Sequence, residues 1–544
     1  MFISPNSFIK ELIRWSFYYK KGKEIFVFFL EKHIFVRYFV KKKLSQMKHS
    51  HVWLAFVLAC LPLTSKAQID SIAIAKDVDG KPFKMASIDL KHTCYSLSVS
   101  SDGKTVAVKQ REHGNNGWAK NGEITLVDKT TGTTRWILPK SFSKTEALMS
   151  LSNAPEGKAM VDNMKLTPQG LLMQDEGKLK LMADATTEKW STKLLPLYID
   201  EEKDVVVGYR SATAAKLRGI SLSTGQELWV ANVKHELNWG WNNMRVVGDS
   251  LLMVAADDLN FINIKTGNLR RYDAATGKVD VGSVLLQSLG AVAMGVTTGM
   301  ISGFYTYYVP YVNSSVTSQT CSNIATDGTY YYFADKAGVS CYDTRAQQVW
   351  TKAFDSKDGS YSQLTVKDGK LYLLSHGVGL KGGVMMKKYG KPFAAVYNAA
   401  DGQLLSKEEL IPWDKSVYGH PVAIPYTKSY TFRDEDKKLT PLEFNADRSV
   451  VITNKNKILV VNHKLQVEET FPADNSYTIY QHNGKYSFVG TNSKKGFDFW
   501  IVDNDGNAKL HFTEPVQAAD LQGDTLYMLS GTRLLWMKLS DHND

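Results

Sequence analysis

The chain has 544 residues, 43% of them hydrophobic, and a formal net charge of +11. That is enough apolar material for a very large core, which excludes a disordered chain. The charge is concentrated: residues 1–46 hold ten Lys and Arg against three acids, and with Lys48 and Lys66 this region carries nine of the eleven net charges. The remainder is too close to neutral to imply a nucleic-acid partner.

Met47 and Lys48 open a short basic segment, Val52 to Leu63 is an apolar run of twelve, and Ser65-Lys66-Ala67 has the small-x-small pattern of a processing site. Residues 47–67 therefore read as a signal peptide with Met47 as the initiator, and residues 1–46 as a non-native upstream extension or leader. The alternative is that Val57 to Cys60 is a lipobox and Cys60 is lipidated. Either reading places the product outside the cytoplasm, periplasmic or associated with the outer membrane. Only Cys94, Cys321 and Cys341 then remain, so disulfides are not expected to hold the domain together. Residues 68–81 read as an N-terminal linker.

From residue 82 to 541 the sequence repeats. "GEITLVDKTTGTTRW" (122–136) and "LRGISLSTGQELW" (217–229) share an alternating strand, a Thr-Gly turn and a Trp four residues after the Gly. Weaker copies end at Trp190, Arg271, Trp350 and Ser406, and two more follow. Their glycine-equivalent positions are 132, 186, 225, 267, 346, 402, 464 and 506. Upstream of each copy lies another hairpin around Asp-Gly or Asn-Gly, such as "QLTVKDGKLYLL", the strongest local signal for two antiparallel strands. Each unit is thus four antiparallel strands in about forty residues, and a run of such units closes into a β-propeller. The fold class is all-β: four-stranded antiparallel blades, with eight expected as the commoner number against a literal count of nine. The last unit lacks a fourth strand, and "KPFKMASIDL" (81–90) is expected to supply it and close the ring.

Thr131-Gly132 with Trp136, Thr224-Gly225 with Trp229, and the partial copies resemble the quinoprotein-like (PQQ-like) propeller repeat. That superfamily includes quinone-dependent alcohol dehydrogenases and the propeller lipoprotein of the outer-membrane barrel assembly machine. Trp136, Trp190, Trp229 and Trp350 are read as structural rings docking one blade on the next, where a large flat apolar area is buried with its N–H still able to find a partner.

Loop lengths are unequal. Turns between first and second and between third and fourth strands are tight and share one face. The long segments 110–122, 139–160, 232–243, 375–393 and 411–438 emerge on the other, where binding is expected. Trp118, Trp239, Trp241, Trp413 and Tyr418 lie in these loops and are candidate contacts. So is an insertion at 281–317, inside a run without a charged residue from Val281 to Thr326. There Gly295, Gly299 and Gly303 recur every fourth position ahead of Phe304, Tyr305 and Tyr307. Both flanks are propeller strands that must stay on one side of a membrane, so no transmembrane span is expected in the mature chain. The insertion packs on its own propeller or contacts a partner or a membrane surface.

The dehydrogenases of the family use paired cysteines and carboxylate ligands that this chain does not match. "VDNDGN" (502–507) does not fit a calcium-loop frame, and His113, His235, His376 and His420 show no metal-ligand spacing. No cofactor, metal or catalytic residue is predicted. The reading is an exported cell-envelope scaffold, non-catalytic, binding a protein partner through its decorated face. The alternative is a propeller enzyme or ligand sensor with a site in the central funnel, such as a quinone-dependent dehydrogenase.

Overall fold

In a computed structural model of the chain, the described residues are strands within 19–40 and most of 69–540. Segments 113–120, 142–157, 235–242, 280–315 and several shorter loops lie outside them. The chain divides into two compact units, Met1–Ser65 and Lys66–Asp544. In the first, Tyr19–Lys20, Lys23–Leu30 and His33–Val40 form a three-stranded antiparallel sheet, as the β-branched and aromatic runs "EIFVFFL" and "HIFVRYFV" favour. The expected signal segment lies outside the described residues.

The second unit is a β-propeller. Among the described residues nine four-stranded units follow the repeat frame, not the eight expected. We number these blades by residue range: 93–141, 164–192, 195–232, 243–272, 325–353, 362–409, 421–472, 476–512 and 518–538. Within a blade consecutive strands pair antiparallel. The turn joining Ser362–Lys367 to Lys370–Ser375 places Asp368 at φ 51 and Gly369 at φ 70, the left-handed pair that a two-residue hairpin turn requires. In the third-to-fourth turns the positive φ falls at Gly225, Gly267 and Gly402, and in blade 7 at Leu465 instead of the anticipated Lys464.

First strands of successive blades lie against one another at blades 1 and 2, 5 and 6, and 8 and 9, so first strands line the axis and fourth strands form the rim. The core sits between blades. Leu197, Val207 and Leu217 of blade 3 share a buried cluster with Met244, Leu252 and Val254 of blade 4, and comparable clusters join blade 5 to 6, 6 to 7 and 9 to 1. Fourth strands are solvated on their outer side: Glu227–Asn232 alternates exposed and buried, and Leu404–Glu409 is exposed throughout.

Pro82–Asp89 pairs antiparallel with Arg533–Lys538, Leu534 opposite Ile88 and Trp536 opposite Ala86, and completes blade 9. The ring is closed as expected. The segment read as a linker differs: Asp70–Asp77 is a strand paired with Pro82–Asp89 on one side and with Ala508–Phe512 of blade 8 on the other. Its Ile74 is buried among Phe488, Leu510 and Met528, with Ile72 packed against the same cluster, and that apolar area holds it in place. Blades 8 and 9 thereby belong to one continuous sheet.

Candidate functional site

Three of the repeat tryptophans perform the same act at three junctions. Trp190 Nε1 donates to Leu222 O at 2.9 Å, Trp229 Nε1 to Ile264 O at 2.9 Å, and Trp350 Nε1 to Ala399 O at 3.0 Å. In each case the acceptor is the second residue of the next blade's third-to-fourth turn. The ring lies over that turn's glycine, where an added Cβ would stand 2.6 Å from Trp190 (Gly225), 2.5 Å from Trp229 (Gly267) and 2.6 Å from Trp350 (Gly402). Backbone conformation and ring contact therefore both exclude a side chain. Trp136 packs against the cluster joining blades 1 and 2. At the junction of blades 4 and 5, where the repeat ends in Arg271, Tyr272 takes over. Its hydroxyl donates to Ala346 O at 2.7 Å and its ring packs 4.9 Å from Tyr342.

The decorated face carries a sheet that the repeat frame does not contain. Gly277–Val279 and Val316–Gln319, which bracket the uncharged insertion, pair antiparallel with each other. Val316–Gln319 then pairs, through Gln319 and Leu380, with a hairpin of Val378–Lys381 and Val384–Lys388. That hairpin is part of the long loop of blade 6. Two insertions separated by a whole blade in sequence are thus built into one four-stranded sheet. The loop around 411–438 is divided: Lys415–Tyr418 is a single helical turn capped by Asp414, while Ser429–Arg433 and Lys438–Leu442 form a hairpin within blade 7. The hairpin pairs with the first strand of blade 8, Ser476–His482, and so extends that blade toward the axis.

Of the predicted contact residues, Trp118, Trp239, Trp241, Gly295, Gly299, Gly303, Phe304, Tyr305 and Tyr307 lie outside the described residues. Trp413 and Tyr418 are half-buried loop anchors. Both pack against the cluster of blades 6 and 7, and Trp413 Nε1 donates to Gly419 O at 3.1 Å. Among the described residues of this loop the exposed large apolar groups are instead Ile411, 87% exposed, and Val417.

Beneath the same loops is a buried polar knot that sequence reasoning missed in all but one residue. His376 sits at the end of the second strand of blade 6, its Nε2 2.8 Å from Gln363 Oε1. Ser449 Oγ of blade 7 donates to the same oxygen at 2.6 Å. Ser360 and Ser375 hydroxyls meet at 2.6 Å alongside, and Gly377 N donates to Ser360. Burial alone pushes the His376 pKa down to about 3, so the ring is neutral. With Oε1 as acceptor its hydrogen is on Nε2, and Nδ1 is a buried acceptor without a hydrogen bond. Gln363 and Ser449 carry no local motif, since their meeting depends on which blade follows which.

A second cluster gathers on blade 8, where the Asp498 carboxylate accepts from Tyr477, from Trp500 Nε1 at 2.9 Å and from His511 Nε2 at 2.7 Å. Burial opposes its charge, but the His511 and Tyr477 hydrogen bonds outweigh that and hold its pKa below the usual range. Trp500 stacks on His511 at 4.1 Å. Among the described residues no group of three His, Cys, Asp or Glu could hold a metal ion. Cys94, Cys321 and Cys341 are buried, and burial raises the thiol pKa of Cys94 and Cys341, so neither of these two is a reactive thiolate.

No family model and no curated protein sequence matches the chain. Solved β-propellers do match in structure. BamB from Moraxella catarrhalis is 13% identical with a TM-score of 0.33, over 71% of this chain and 96% of its own. The C-terminal WD40 domain of Sif2 is 10% identical with a TM-score of 0.33, over 86% and 98%. The β-propeller domain of Myceliophteria thermophila Cps50 (Swd1) is 9% identical with a TM-score of 0.27, over 82% and 96%. These are likenesses of fold. Among the described residues no helix is long and apolar enough to cross a membrane.

Proposed function

We propose that the chain is a non-catalytic protein-binding scaffold of the cell envelope, exported through residues 47–67 and engaging an envelope partner through its loop-decorated face. The observation that carries this is the composite sheet. Two insertions, one of them uncharged, are joined by backbone pairing of Gln319 with Leu380. Segments tied by backbone pairing lose less entropy on binding than free loops do. Nothing in the repeat requires the sheet for ring closure. Envelope crosslinking followed by capture tests the reading. Replacing residues 378–388 with a short turn should leave the propeller folded, with an unchanged thermal midpoint within a few degrees, and abolish partner capture. A folded variant that still captures the same partner overturns it.

A further inference from the structure

In blade 5 the row Ala325, Tyr332, Cys341 runs outward through paired strands and ends at Trp350, whose ring packs against blade 6. The matching row of blade 6 is Thr365, Tyr372, Val396, and it ends at Ser406, which has no ring. The facing turn of blade 7 is one residue shorter, with Leu465 N–H on Asn462 O where Gly402 N–H reaches Asn398 O, and the buried Leu465 side chain stands in the ring's place. Along this row lies a cleft of about 30 Å³.

The cleft is apolar along Leu374, Ala394 and Val396 of blade 6, and Arg448 and His463 of blade 7 form its other wall. Arg448 is already partnered, so the cleft is matched to a neutral occupant. His463 is exposed, Thr365 and Tyr372 are half-buried, and all three lie toward the tight-turn face. At the inner end is Gln363, 3% exposed. Its Oε1 accepts from His376 Nε2 and from Ser449 Oγ, which fixes the amide. The amide N–H₂ is thereby turned away from that knot, and among the described residues no acceptor meets it. A buried donor left unpaired is costly, so the site selects an occupant that brings an acceptor to it.

Size decides among neutral acceptors. A single water takes about 10–15 Å³, so the cleft accepts a group of two or three heavy atoms and excludes an aromatic ring. We propose that it is a subsite for the acetamido group of an N-acetylated amino sugar. The acetyl oxygen accepts from Gln363 Nε2, and the methyl group lies against Leu374, Ala394 and Val396. The sugar ring stays outside, its apolar face on the Tyr372 ring. The shallow depth and the aromatic mouth favour a sugar over an acetylated lysine, whose four-carbon stem needs a channel. The site lies toward the face opposite the long loops and is independent of the protein-binding reading.

The test is saturation-transfer difference NMR of methyl N-acetyl-β-D-glucosaminide with the full chain. Saturable millimolar binding is expected, with the acetyl methyl protons receiving the largest saturation. Methyl β-D-glucoside, which lacks the acetamido group, should bind at least about tenfold more weakly, the size of one buried hydrogen bond with a methyl contact. Ala394→Leu should fill the methyl position and weaken binding at least about tenfold. If that change unfolds the chain, Tyr372→Ala at the half-buried mouth serves in its place, with the same expected loss. N,N′-diacetylchitobiose bound as tightly as the monosaccharide supports a glycan strand as the source, and weaker binding supports a free sugar. The proposal is overturned if no saturable signal appears at tens of millimolar, if the glucoside binds equally well, or if a folded Ala394→Leu chain binds undiminished. Binding of Nε-acetyl-lysine amide without binding of the sugar overturns it as well, since the occupant would then be an acetylated protein. Envelope capture that survives in Ala394→Leu leaves the decorated-face reading intact.

Discussion

The junctions of blades 5 with 6 and 6 with 7 are built on one plan and finished differently. In the first, Trp350 covers Gly402 and donates to Ala399 O, and Tyr332 and Tyr397 flank the ring. In the second, Ser406 contributes no ring, Leu465 replaces the glycine and is itself buried at φ 57, and a polar knot around Gln363 closes the inner end. The contrast teaches that adhesion between blades is not uniform around the ring. The propeller tolerates this junction without an aromatic wedge because the flanking strands still share an apolar cluster, here Leu374, Val451, Leu459 and Val461.

The largest way to break this contrast is to remove the wedge where it exists. Trp350→Ala should cost about 3–5 kcal/mol in urea unfolding, through lost burial and a residual cavity. A cost below about 1 kcal/mol would mean that the two junctions are energetically alike. The next effect is specific to the second junction. Because burial pushes the His376 pKa to about 3 while an unfolded histidine titrates near about 6.5, the unfolded chain binds a proton that the folded chain refuses. Its contribution to stability is therefore complete above about pH 6.5 and is lost as pH falls toward 3, by a few kcal/mol in all. His376→Gln should flatten this part of the slope; identical slopes between pH 6.5 and 4 would refute a neutral buried ring.

Gly402→Ala places a Cβ 2.6 Å from Trp350 at φ 70, and about 2–3 kcal/mol of destabilisation is expected from strain and overpacking together. In a Trp350→Ala background the ring clash is gone and only the strain at φ 70 remains, about 1–2 kcal/mol, a coupling that a double-mutant cycle would read directly. Smallest is Ser406→Ala, expected within about 0.5 kcal/mol of wild type because the exposed hydroxyl fills nothing. A loss comparable to that of Trp350→Ala would show Ser406 to be an essential part of its junction.

The sheet architecture was legible because its signals are local. Asp368-Gly369 requires left-handed φ in a two-residue turn wherever it stands, and the alternation of "QLTVK" and "KLYLLS" marks strands half-buried between layers. The period near forty follows from those hairpins, and the strand at 82–89 could be matched to blade 9 because one strand was lacking there and one was unpaired. The linker was misread for a related reason. "IDSIAIAKD" alternates well, but its value as a strand depends on the exposed edge of blade 8 at Ala508–Phe512, which no local pattern announces. Trp413 and Tyr418 were flagged as aromatic and in a loop. Whether such rings face solvent or anchor the loop is decided by the cluster beneath them.

The sequence by itself determined the all-β class, the repeat, the ring-closing strand and the tryptophan positions, since each follows from backbone preference or from apolar periodicity within about forty residues. Only the tertiary structure decided that the strands flanking the two insertions pair, and that Gln363 meets both His376 and Ser449. Those are contacts between residues up to 86 positions apart. Their energies depend on which surface of one blade is placed against which surface of the next, and that information resides in the closed ring.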